Sequence, residues 1–168
     1  MDVYDPGTAA GSHGFRYYGY DQVILKYVGV NSCMTMTCIH NEGLWGAHFA
    51  FSTAEKKEIT KEFVSNTLGY LEEGMPSTKA GTVLLIGPTL AWEAVAGESW
   101  QQMLTYAKKW GGGRWRQFNT DNLDSVKFNY MNIYLRSNSK WVQIKGVNDS
   151  KESGNVHWFE YSTIIPKQ

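Results

Sequence analysis

The sequence predicts an α+β fold in a single domain: mixed or antiparallel β-sheets in a sandwich-like arrangement, with two main helices packed on them. Three observations carry that expectation. Short stretches of alternating residues, each ending in turn signals, recur along most of the chain. Two longer stretches keep helical spacing between them. A chain of 168 residues suits one hydrophobic core.

Residues 1–20 are rich in Gly, Tyr and Ser without periodicity, and read as an irregular lead-in. Residues 21–168 form the expected domain. A first strand is expected at Gln22–Tyr27. Val28–Ile39 then alternates, with Met34, Met36 and Cys38 on one parity and Cys33, Thr35, Thr37 and Ile39 on the other, more polar one. His40-Asn41-Glu42-Gly43 is a turn, and Leu44–Phe51 the returning strand.

Ser52-Thr53-Ala54-Glu55 is a capping-box pattern, and Ile59, Phe63, Thr67, Leu68 and Leu71 keep helical spacing until Gly74. Thr82–Ile86 is a short buried-type strand, and Glu98–Trp110 a second helix that Gly111-Gly112-Gly113 stops. Trp115–Asn119, Ser125–Arg136, Trp141–Lys145 and Val156–Ile165 complete the strands, with Asn148–Asn155 a polar loop.

Sixteen basic residues balance sixteen acidic ones, with no block of one sign, which argues against nucleic acid or an anionic membrane as partner. Aromatic residues reach 14%, an excess that suits either a core or a contact surface. No signal-like segment opens the chain, and no apolar run approaches the roughly 18–20 residues of a membrane span. Cys33 and Cys38 lie an odd number of residues apart on one expected strand, on opposite faces, and should not pair. No zinc-type ligand spacing exists. These features suit the cytoplasm, or a protein delivered into a target cell.

The pair that invites chemistry is Cys33 and His48. An imidazole that takes the thiol proton turns a cysteine into a nucleophile. With Asn41-Glu42 as a two-residue turn, His40 pairs with Gly43 and Thr35 lies opposite His48, so Cys33 is the diagonal neighbour of His48 on one face. A slip of one residue would separate them. A bend at Asn31-Ser32 could aim backbone N–H groups at one point, as an oxyanion hole needs, and Gly46 would let a substrate chain approach the His face. Trp45 and Tyr27 would flank the site. Spacing permits this dyad without assigning it. A lone strand cysteine is more often a small buried hydrophobe, the reading preferred for Cys38. His13, His40 and His157 read as structural, and Glu72-Glu73 as a solvated helix end.

Val28-Gly29-Val30-Asn31-Ser32-Cys33-Met34 resembles the Gly-x-Gly-Ser-Cys-Val strand of the chemotaxis receptor glutamine deamidases, the CheD family. Gly43-Leu44-Trp45-Gly46-Ala47-His48-Phe49 resembles that family's Gly-Gly-x-x-His segment. A similar Cys–His arrangement and spacing occur in cytotoxic-necrotizing-factor type toxins. The resemblance implies a deamidase-like α+β domain in which Cys33 is the nucleophile and His48 the base. It further implies a partner protein carrying a reactive glutamine, and no metal or organic cofactor. Asn31 stands where the family usually has Gly. The family's His-orienting Thr falls at Tyr27, leaving Tyr27 or Thr35 as third member. A silent protein-binding module on the same scaffold, and a Cys–His protease or transglutaminase, are the alternatives.

Overall fold

The computed structural model describes residues 1–4, 17–50, 61–76, 81–123, 128–137 and 141–161. In chain order the elements are β1 (Asp2–Tyr4), β2 (Tyr18–Asp21), β3 (Ile24–Val30), β4 (Met34–His40), β5 (Gly43–Phe49), α1 (Lys61–Gly74), β6 (Thr82–Gly87), α2 (Thr89–Val95), α3 (Gly97–Gly111), β7 (Trp115–Asn119), β8 (Tyr130–Arg136), β9 (Trp141–Asn148) and β10 (Lys151–Glu160). They make an α+β fold of two five-stranded sheets, ordered β2-β5-β4-β6-β7 and β1-β3-β8-β9-β10. Most neighbours are antiparallel; β1–β3 and β6–β7 are parallel.

Alternation along the strands sorts the side chains into two apolar layers. Met34, Met36 and Cys38 of β4, Ala47 and Phe49 of β5, and Val83 and Leu85 of β6 pack against Val64, Leu68, Trp100 and Met103 of the helices. The opposite parity, Ile39, Leu44, Leu84 and Ile86, packs against Leu25, Met131, Ile133, Leu135 and Ile144 of the other sheet. The β2–β7 sheet is therefore the middle of three layers. Every residue of β4 and β5 is buried, as happens when both faces of a strand are covered. The more polar parity of β4 is buried too: Thr35 and Thr37 lie between the sheets.

The stretch expected as one strand from Val28 to Ile39 is two strands in different sheets. The chain leaves β3 at Val30, bends at Asn31-Ser32 and enters β4 at Met34. Just before the bend, β3 carries a bulge: Tyr27 pairs with Ile133 and Val30 with Met131, so β3 has one residue more than its partner. Gly29 absorbs it at φ 76°, and its amide donates to Asn132 Oδ1 at 3.2 Å. The bulge turns both Tyr27 and Val30 into the layer between the sheets.

The lead-in contributes two strands, β1 and β2; residues 5–16 fall outside the described residues, as does the capping-box pattern at Ser52–Glu55. The expected polar loop after Asn148 is only a two-residue turn. Asp149 and Ser150 both take positive φ, 49° and 63°, and β10 starts at Lys151. A third helix, α2, joins the two expected ones. Gly112 at φ 62° ends α3, the role assigned to the glycine run. Glu72 is more than a solvated end: it accepts from Lys109 Nζ at 2.9 Å and Trp110 Nε1 at 2.8 Å, clamping α1 to α3. Among the described residues, no helix is long and apolar enough to cross a membrane.

Candidate active site

The β4–β5 hairpin has the register that Asn41-Glu42 dictates: His40 pairs with Gly43, and Thr35 with His48. Gly43 takes φ 146°, and Tyr20 and Asp21 press against its α-carbon so closely that no side chain fits there. Cys33 lies two residues before Thr35, where the chain enters β4, and is 4% exposed. His48 is fully buried. Its backbone N–H donates to Tyr17 O at 2.8 Å, and its ring meets Tyr27 edge-on at 6.3 Å between centroids.

The corner holding Asn31 and Ser32 is exposed, in contrast to the residues on either side of it. Two elements fix it. Trp92 of α2 donates from Nε1 to Ser32 O at 2.9 Å, and Asn31 Nδ2 donates to Asn129 O at 3.4 Å. The end of β6 closes in from the side: a Cβ on Gly87 would lie 2.7 Å from Cys33 O and 3.0 Å from the Met34 α-carbon. Gly87 thus lets β6 run tightly against the start of β4. Among the backbone angles at the corner, Gly29 uses the left-handed region and Asn31 does not.

The two candidates for the third member are both committed to strand carbonyls. Tyr27 Oη shares a 2.6 Å hydrogen bond with Thr37 Oγ1 and donates to Met36 O at 3.0 Å. Burial pushes its phenol pKa well up, against the opposing effect of Thr37. Thr35 Oγ1 donates to Ile86 O at 2.7 Å while sitting opposite His48 in the ladder, which leaves its oxygen able to accept.

Two expected substrate contacts are elsewhere. A Cβ on Gly46 would collide with the Tyr27 hydroxyl, so the space beside Gly46 is filled by Tyr27 and not open to a substrate chain. Trp45 pairs with Cys38 and packs on the helix side of the sheet, the face away from the Thr35 layer. It donates to Gly74 O at 2.9 Å and packs against Tyr20 with ring centroids 4.3 Å apart and planes tilted by 34°.

The other cysteine and the two other described histidines lie away from the Cys33–His48 corner. Cys38 is fully buried, and burial pushes its thiol pKa well up. Neither cysteine is in a disulfide. Burial lowers the His40 pKa, with Glu42 opposing, and its ring packs edge-on against Trp45. His157 stacks on Phe118. His13 lies outside the described residues.

Sequence reasoning missed Trp92 and α2. Pro88 ahead of Leu90, Ala91 and Trp92 is the available signal, a proline opening a helix. Seven residues are too few for periodicity to stand out. Among the described residues, no group of three His, Cys, Asp or Glu side chains gathers as a metal-ligand set. Compared with known proteins, the chain matches no protein-family model, and no curated protein matches its sequence.

Proposed function

We propose that the protein is a Cys–His amidohydrolase that deamidates a glutamine side chain of a partner protein, in the cytoplasm or as an effector delivered into a target cell. The observation that carries this reading is the pairing of Thr35 with His48, with Cys33 two residues upstream at the mouth of the same hairpin. A one-residue slip would have put the imidazole on the helix side of the sheet.

In this reading His48 takes the Cys33 proton, and the thiolate attacks the carboxamide carbon. The oxyanion that forms is held by N–H groups of the Asn31–Cys33 corner. Collapse breaks the C–N bond, with His48 returning its proton to the departing ammonia. Water, deprotonated by His48, then attacks the thioester, leaving glutamate and the free thiol. No metal or organic cofactor enters this sequence. Thr35 is the better placed of the two orienting candidates, since it sits directly opposite His48, whereas the Tyr27 hydroxyl is engaged on β4.

A second reading has its own observation. His48 is fully buried and Cys33 only 4% exposed, which suits a silent module whose dyad positions serve as core. Incubation with candidate partner proteins, followed by mass spectrometry for Gln-to-Glu conversion, separates the two. Conversion by the wild type and none by Cys33→Ser or His48→Ala supports the deamidase. Conversion that persists in Cys33→Ser overturns the mechanism.

A further inference from the structure

On the helix side of the middle sheet, away from Cys33 and His48, the edge strand β2 and the last turns of α1 enclose a cavity of ≈ 390 Å³. Tyr18 and Tyr20 project into it from β2, where their partners across the ladder are Ala47 and Trp45. Trp45 also lines it, and Tyr70, Leu71 and Gly74 line it from α1. The rings stand in two pairs. Tyr18 and Tyr70 stack at 5.3 Å with planes 15° apart, and Tyr20 lies 4.3 Å from Trp45. The three tyrosines are 39–47% exposed, an unusual outlay of aromatic surface.

The aromatic rings and the helix end beside the cavity share one sign. Aromatic faces are the negative part of the ring quadrupole. The wall from α1 is that helix's C-terminal end, the negative end of its dipole. Its last turn carries Glu73 and no basic residue, and also Glu72, which is paired with Lys109 of α3. Trp45 Nε1, the one indole donor of the lining, is already spent on Gly74 O. Among the described residues, no lysine or arginine lines the space. An anion would need a positive group, and none of the described lining residues carries one.

We propose that this cavity binds a quaternary or methylated ammonium group, held against Tyr18, Tyr20, Trp45 and Tyr70 at the negative end of α1. Such a cation has little hydration to lose and is attracted by the aromatic rings and by the end of α1. The site is independent of the deamidase reading, because Trp45 faces the opposite side of the sheet from His48.

The test is titration followed by a proton resonance of each ligand (N-methyl or tert-butyl methyl for choline and its isostere, the lysine ε-methylene for both peptides), at constant ionic strength. Choline and a trimethyllysine peptide are the two cationic probes; the neutral tert-butyl isostere of choline and the unmethylated peptide are their controls. At least one cation should show a saturable, upfield ring-current shift and bind roughly tenfold or more tightly than its control. Tighter binding of choline assigns the site to a small solute, and tighter binding of the peptide to a protein tail. Tyr70→Ala removes an exposed helix side chain and should weaken binding by about tenfold with an unchanged circular dichroism spectrum. Equal binding of the neutral isostere, or no saturable shift with either cation on folded protein, overturns the proposal.

Discussion

Tyr27 is spoken for by the sheet it faces: its hydroxyl reaches Thr37 Oγ1 and Met36 O of β4, and its ring fills the space that Gly46 leaves open. Tyr27→Phe should therefore cost about 1–2 kcal/mol through the lost buried hydrogen bonds, read as a lower urea midpoint. Under the proposed function, and if Tyr27 does not orient His48, any deamidation by the surviving folded fraction keeps its kcat; a fall in kcat beyond the unfolded fraction would restore Tyr27 as third member. Gly46→Ala is the complementary change, since its methyl meets the Tyr27 hydroxyl and Leu25 together. Overpacking of this kind costs about 1–3 kcal/mol, and equilibrium unfolding checks it. The two cysteines should also separate chemically. Burial holds the Cys38 thiol protonated, so native protein should leave Cys38 unalkylated by iodoacetamide even near pH ~8.5, where a free thiol is half ionised. Peptide mapping after alkylation reads each thiol by itself, and modification of Cys38 in folded protein would contradict its placement in the core.

At the scale of elements, the α1–α3 contact has a titratable clamp. Hydrogen bonds from Lys109 and Trp110 hold the Glu72 pKa below the usual carboxylate range, and Lys109 is raised in turn. A carboxylate depressed on folding contributes stability above its unfolded pKa, about 4.3, and loses it as pH falls through the folded value. Glu72→Gln should thus flatten the acid limb of a stability–pH curve. Its cost at neutral pH should stay within about 1 kcal/mol, because the pair is largely solvated. An acid limb unchanged in Glu72→Gln would show that the clamp contributes nothing. The same scale shows what a sequence yields. The β4–β5 register is legible because a two-residue turn flanked by alternation leaves one pairing, and α3 is legible because a 15-residue amphipathic run ends in glycines. The start of β10 is not: Lys151, Glu152 and Ser153 are exposed, and no glycine marks the turn before them. Nor is the role of Glu72, because its partners come from another helix 37 and 38 residues away.

For the molecule as a whole, three layers set a gradient of protection. β4 and β5 are covered on both faces and flanked by β2 and β6, whereas β2 is an edge strand with two half-exposed tyrosines. Amide hydrogen exchange should be slowest across Met34–His40 and Gly43–Phe49 and faster in Tyr18–Asp21. Exchange of β4 as fast as that of β2 would contradict the central position of the hairpin. Sequence periodicity reveals which residues share a face, but not which of two covered faces meets the helices and which meets the second sheet. That choice explains why Thr35, Thr37 and His48, polar by composition, are interior residues here, and why Trp45 and His48, three apart, serve different sides of one sheet.

The bulge at Val28-Gly29 gives this layering a phase. Because β3 carries one residue more than β8 needs, its inward-facing positions shift from Tyr27 to Val30, and the chain reaches the Asn31-Ser32 bend with Val30 tucked inside. Gly29 works like a vernier between two sheets that would otherwise count residues independently. Its surroundings are open, so Gly29→Ala carries only the backbone cost of a left-handed residue, about 1–2 kcal/mol. Deleting Gly29 outright removes the count itself: either Val30 rotates outward or the thiol of Cys33 enters β4 one position out of step with His48. The first outcome is a stability loss; the second, under the proposed function, is a loss of deamidation in a folded protein, and setting the deletion beside Gly29→Ala tells geometry from strain.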